Sequence, residues 1–140
     1  MDSPAWSQIV LECTQVLFRG YHALDAADYQ GVVAEFAEYG EWRRQGKTLA
    51  GRAAIVNELR ARPVGRVTAH LIQNVAVDVL GDDRAQLKYH LLAYRHDHAA
   101  PTAGPAPIGQ ALSIALLEER MARVGERWLT VYRASRQIFA

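Results

Sequence analysis

Of the five histidines in this 140-residue chain, His70 stands apart because apolar residues surround it in Arg66-Val-Thr-Ala-His-Leu-Ile-Gln-Asn74, a run that continues from Val75 to Leu80. Imidazole changes charge near neutral pH, so a histidine at an enclosed pocket can take up and return a proton, whereas one in a packed core is only a satisfied polar group. His90, His96 and His98 follow in the next β-like run. His96 and His98 are two apart and share a face on a strand, a spacing that two metal-bound imidazoles could use. A third ligand would have to be His90 or a distant carboxylate, and His98 borders a loop, so no metal centre is expected. Asp25 is the acid of interest. It lies four residues after Tyr21 in a helical pattern, at the edge of the buried stripe.

The elements that must carry these residues follow from periodicity. Ser3-Pro4 reads as an N-cap followed by proline at the first helical position. Trp6, Ile9, Val10, Cys13, Val16, Leu17, Tyr21 and Leu24 then repeat at 3.6-residue spacing. Asp28 is expected to cap a second helix through Tyr29, Val32, Val33 and Phe36. Glu41-Trp-Arg-Arg reads as a short strand, Gln45-Gly-Lys-Thr as a turn, and Gly51 precedes a third helix from Arg52 to Arg60, stopped by Pro63. Gly46-Lys47-Thr48 echoes a phosphate loop, but its distance from Gly40 is wrong and no apolar strand precedes it.

The His70 run reads as a long central strand, apolar and buried on both faces. Ala85 to His98 reads as its neighbour, with Leu87, Tyr89, Leu91 and Ala93 on one face and His90, Leu92, Tyr94 and His96 on the other. After a Pro- and Ala-rich loop, Ala111 to Val124 and Glu126 to Phe139 flank a tight turn at Gly125. Three helices followed by an antiparallel meander predict an α+β layer architecture in a single domain over residues 1–140.

Sixteen basic and fifteen acidic residues give a formal net charge of +1 with no like-charge block, so no nucleic-acid partner is expected. No stretch has the apolar length of a membrane span, and the N-terminus lacks the pattern of a secretory leader. The single Cys13 fits a reducing compartment. The expectation is a cytoplasmic protein.

Taken together, Tyr21-His-Ala-Leu-Asp25-Ala-Ala-Asp-Tyr, Gly46 through Gly51-Arg-Ala-Ala-Ile55, Thr68-Ala-His70-Leu-Ile-Gln-Asn74, Tyr89-His90 to His96, and Gly125-Glu-Arg-Trp128 resemble the NTF2-like superfamily, in its SnoaL-like and scytalone-dehydratase-like branch. The resemblance implies a cystatin-like cone, with three N-terminal helices on a strongly curved, mixed but mainly antiparallel sheet that encloses a pocket. It also implies a catalytic set of Asp25, His70 and His96. The sequence departs from the dehydratase at its water-holding tyrosines, because Leu24 precedes Asp25 and Trp42 stands in the place of the other.

A histidine paired with a carboxylate in an apolar pocket is held in one tautomer and made more basic, which suits proton transfer at a carbon next to a carbonyl. On the resemblance, the chain is expected to bind a small apolar molecule, a polyketide, steroid or aromatic metabolite. Tyr21, Trp42, Asn74, Leu92 and Tyr94 would line its site, and it would act as a lyase, isomerase or cyclase with no cofactor. The alternative is a non-catalytic binding or assembly module, in which Asp25 only caps a helix and His70 is a core histidine. Apolar residues on both faces of the meander, Leu87, Tyr89 and Leu91 among them, predict a homodimer through the sheet.

Overall fold

The computed structural model describes residues 3–140, with side chains from Ala5 onward; the cap expected at Ser3 lies outside the described side chains. Helix α1, Ser3–Asp25, buries Ile9, Cys13, Val16, Leu17, Tyr21 and Leu24, all at helical spacing. Trp6, at the start of the expected stripe, is 47% exposed, so burial begins one turn later. The Cys13 thiol is fully buried, and burial with the nearby Glu12 and Glu119 charges pushes its pKa up to about 12, so it stays a protonated apolar group.

Asp28 caps the six-residue helix α2, Tyr29–Ala34, by accepting from the Gly31 amide at 3.0 Å. A Cβ on Gly31 would sit 2.4 Å from the Asp28 carboxylate, so a larger residue there would make the capping side chain shift. Strand β1, Phe36–Arg44, starts five residues before the expected Glu41. Phe36 belongs to it because long-range pairing overrides the local helical period. The Thr130 amide donates to Glu35, Phe36 pairs with Thr130, and Arg52 donates two hydrogen bonds to the Phe36 carbonyl. Gln45 and Gly46, both at positive φ, turn β1 into strand β2, Lys47–Ala50.

Helix α3, Arg52–Arg60, follows these two strands, so the helices do not all precede the sheet as expected. Strands β3 (Arg66–Val79), β4 (Arg84–Asp97), β5 (Ser113–Val124) and β6 (Arg127–Phe139) then form the meander. The six-stranded sheet has the order β2-β1-β6-β5-β4-β3, with β1 and β6 parallel and the other pairs antiparallel. The fold is thus α+β with three helices and a mixed sheet.

Two expectations about the meander are corrected. Strand β3 is an edge strand, buried on one face only. Its outer residues Val67 and Leu71 are 41% and 46% exposed, while Thr68, His70 and Ile72 face α1 and the core. A bulge between Gln73 and Ala76, with Asn74 at φ 56°, inserts one residue and swaps parity, so that Ile72, Val75, Val77 and Val79 all pack inward. The run looked two-sided because of this change of phase. Second, Leu87 and Tyr89 are fully buried beneath the helices, so they are core residues and not an outer face awaiting a partner.

Candidate functional site

The last turn of α1 brings Asp25 against β3, where the inward face presents Arg66, Thr68 and His70 in alternation. The Asp25 carboxylate accepts from the Thr68 hydroxyl at 2.9 Å and from the His70 amide at 2.9 Å, and it meets His70 Nδ1 at 2.5 Å. Burial pushes the Asp25 pKa up, but the hydrogen bonds and charge of His70, with that of Thr68, outweigh it and hold the carboxyl below its ordinary 3.8. An ionised Asp25 can only accept, so in the neutral imidazole Nδ1 carries the proton and Nε2 keeps the lone pair. The Asp25 and His70 side chains are 25% and 14% exposed, which leaves Nε2 as the nitrogen open to a ligand.

His70 lines a cavity of about 160 Å³ whose apolar wall includes Leu24, Trp42, Leu91 and Leu117. Tyr21 forms the adjoining side, its ring centroid 5.5 Å from that of His70. Its phenol is already committed. The Tyr89 hydroxyl donates to Glu119 Oε1 at 2.7 Å, so at its 3.0 Å contact with Tyr21 it accepts, and Tyr21 donates inward. Burial raises the pKa of both tyrosines, which keeps them neutral.

Beneath the cavity lies an ion pair that the sequence reading missed. Glu119 and Arg133 stand directly opposite on β5 and β6, joined at 2.6 and 3.1 Å, with Tyr89 and Thr130 completing the carboxylate at 2.7 Å each. The Arg133 guanidinium lies 4.7–4.8 Å from the centroids of the Tyr21, Phe36 and Trp42 rings. Glu119 raises the Arg133 pKa beyond what burial alone would lower, so the cation is permanent. The signal was present in Leu117, Glu119 and Met121, where an acid alternates in phase with apolar residues. Four more arginines, Arg44, Arg62, Arg66 and Arg95, line the cavity and were also missed.

The other expected site residues fall in different places. Trp42 is buried in the cavity wall, stacked on Phe36. His96 pairs with Val67 and His70 with Ala93, and directly opposed residues share a face, so His96 lies across the sheet from His70. It borders a groove of about 650 Å³ between β3, β4 and residues 106–110, and its ring packs edge-on against His98 at 4.5 Å. Tyr94 contributes to this groove and to the cavity rim. Leu92 faces outward opposite Leu71, and Asn74 sits exposed at the bulge, bonded to His90. Neither lines the His70 cavity. Among the described residues no three His, Cys, Asp or Glu side chains gather as a metal-binding group.

This arrangement of a helix-borne acid, a strand-borne histidine and a cavity under a mixed sheet accompanies a match of residues 7–134 to the SnoaL-like domain. The chain belongs to the SnoaL-like family. A structure from Catenulispora acidiphila is 26% identical, with a TM-score of 0.74 and 94% of each chain covered. A second structure from that organism, in complex with S-DNPA, is 24% identical at a TM-score of 0.73, again over 94% of each chain. A putative scytalone dehydratase from Novosphingobium aromaticivorans is 17% identical at a TM-score of 0.72, covering 99% of this chain and 89% of its own. Among curated proteins none matches the chain. No helix among the described residues is long and apolar enough to cross a membrane.

Proposed function

We propose that this SnoaL-like protein binds an apolar, carbonyl-bearing metabolite and moves a proton on it, with His70 as the base and Asp25 as its orienting partner. The observation that carries the reading is the double hold of Asp25 on His70, through ring and backbone, at the wall of a cavity. Nε2 takes a proton from the carbon next to the carbonyl, the electron pair passes into an enolate, and the imidazolium returns the proton at the same or another position. Return elsewhere is isomerisation; expulsion of a β-substituent from the enolate is a lyase reaction. Neither needs a cofactor. The bound small molecule in the Catenulispora neighbour, and the dehydratase name of the Novosphingobium one, agree with such a site.

Exchange of α-protons into heavy water, followed by NMR on a panel of bicyclic ketones such as 2-tetralone, tests the reading directly. Exchange catalysed by the wild type and abolished in His70→Ala is expected. Tight binding of the same ketones without exchange would instead make the chain a non-catalytic binding module.

We also infer a homodimer through the outer face of the sheet, where Val67 and Leu71 leave apolar surface uncovered on an edge strand. Sedimentation at micromolar concentration should give twice the chain mass; a monomer there removes this inference.

A further inference from the structure

The cavity that holds His70 has four arginines and no Asp or Glu among its lining residues. Two of the four are matched outside it. Arg66 binds Asp97 at 2.9 and 3.2 Å, and Arg95 reaches the same carboxylate at 3.1 Å. Among the described residues Arg62 donates only to neutral acceptors, the Leu24 carbonyl and the Thr68 hydroxyl, and it lies over the Tyr29 ring. Arg44 has still less. Its guanidinium lies 4.9 Å from the Trp42 ring centroid, and among the described residues it makes no hydrogen bond or ion pair. Burial and the positive charge of Arg62 both press on Arg44, and Glu58, the acid that attracts it, is already bonded to Lys47.

A guanidinium does not shed its charge to escape such a place, and a half-buried cation beside another cation, with five donors and no acceptor, is unfavourable until an anion arrives. We propose that Arg44, with Arg62 beside it, forms an anion-binding end of the cavity, and that the ligand is an apolar, ring-sized molecule bearing a carboxylate. The planar fork of Arg44 matches a carboxylate through two parallel hydrogen bonds, and Leu24, Trp42 and Leu91 receive the apolar body. Arg62 links this end to the proposed base through Thr68, which donates to Asp25. The inference rests on the cavity being a small-molecule site, as proposed above, and adds the charge of what enters it. A neutral ligand would deepen the burial of Arg44, and its carbonyl could accept a hydrogen bond but would leave the charge uncompensated.

Binding of two matched pairs tests this: 2-naphthylacetate against 2-naphthylacetamide, and phenylacetate against phenylacetamide, by calorimetry, with the His70 ring signals locating each ligand. The acid of at least one pair should bind more tightly than its amide by on the order of tenfold. The preference should disappear in Arg44→Gln and survive in Arg43→Gln, which removes the same charge from a neighbouring residue outside the cavity. In the wild type it should also fade as pH falls through the probe's own carboxyl pKa, a readout that needs no variant. Equal binding of acid and amide, a preference that survives Arg44→Gln, or no binding of either pair at millimolar concentration overturns the proposal. Proton transfer stands or falls separately, on ketone exchange and on the titration of His70 in Asp25→Asn.

Discussion

Two acid–base pairs that meet the same sheet are built to opposite specifications. Glu119 and Arg133 are 0% and 2% exposed in their side chains, and the carboxylate accepts four hydrogen bonds. Asp25 and His70 are partly exposed, and their cluster gives the acid three hydrogen bonds while leaving one imidazole nitrogen free. A pair buried this completely, with its carboxylate filled and its guanidinium among three rings, specifies structure, because losing one partner strands a buried charge. A pair with one open valence at a cavity can exchange a proton. Burial, and a titratable nitrogen left open at a cavity, separate the two roles, not the presence of charge.

The most severe way to break this contrast is to cut the buried pair. Glu119→Ala should destabilise the protein by roughly 3–5 kcal/mol in urea unfolding, because Arg133 is left charged and unpaired among three rings. A loss under about 1 kcal/mol would show that the site is wetter than its geometry indicates. In kinetics, His70→Ala and Asp25→Asn should each lower ketone exchange by about 10²–10⁴-fold, the usual contribution of a positioned base. The double variant should be little worse than either, as expected of groups that act as a unit.

A smaller effect sharpens the comparison through pH. The folded pKa of Asp25 is lowered, so its contribution to stability is fully present above the ordinary 3.8 and is lost as pH falls through the lower folded value. The stability difference between wild type and Asp25→Asn should therefore shrink as pH falls across that acid window, measured by thermal unfolding from pH 2 to 5. The smallest effect belongs to His96, across the sheet from the cavity. His96→Ala should leave ketone exchange unchanged and stability within about 0.5 kcal/mol.

Much of this organisation was legible in the sequence, and the failures have particular causes. The α1 stripe, the Asp28 cap, α3 after Gly51 and the turn at Gly125 were readable because local spacing and turn residues decide them. The start of β1 was not, because Phe36 is claimed by β6, almost a hundred residues away. His96 was placed with His70 although the alternation already argued otherwise. With Leu87 and Tyr89 buried and no bulge on β4 in its pairing with β5, the same parity turns Ala93 and Arg95 inward and His96 out. The phase change at Asn74 leaves no such trace, since apolar residues on either side of it read as a two-faced strand. His70 and Asp25 stood out by residue type and periodicity and were joined in one set by the family resemblance, but their contact depends on how α1 crosses the edge strand, which spacing alone cannot supply.

The central claim is that Asp25 fixes the tautomer of His70. Two-dimensional NMR of ring-labelled histidine, followed from pH 4 to 9 in the wild type and in Asp25→Asn, measures it directly. The account predicts that wild-type His70 holds its proton on Nδ1 when neutral, and that both its tautomer and its titration midpoint change in Asp25→Asn while His90, His96 and His98 titrate as before. A His70 curve identical in the two proteins would contradict the account, because the acid and the base would then not act on one another.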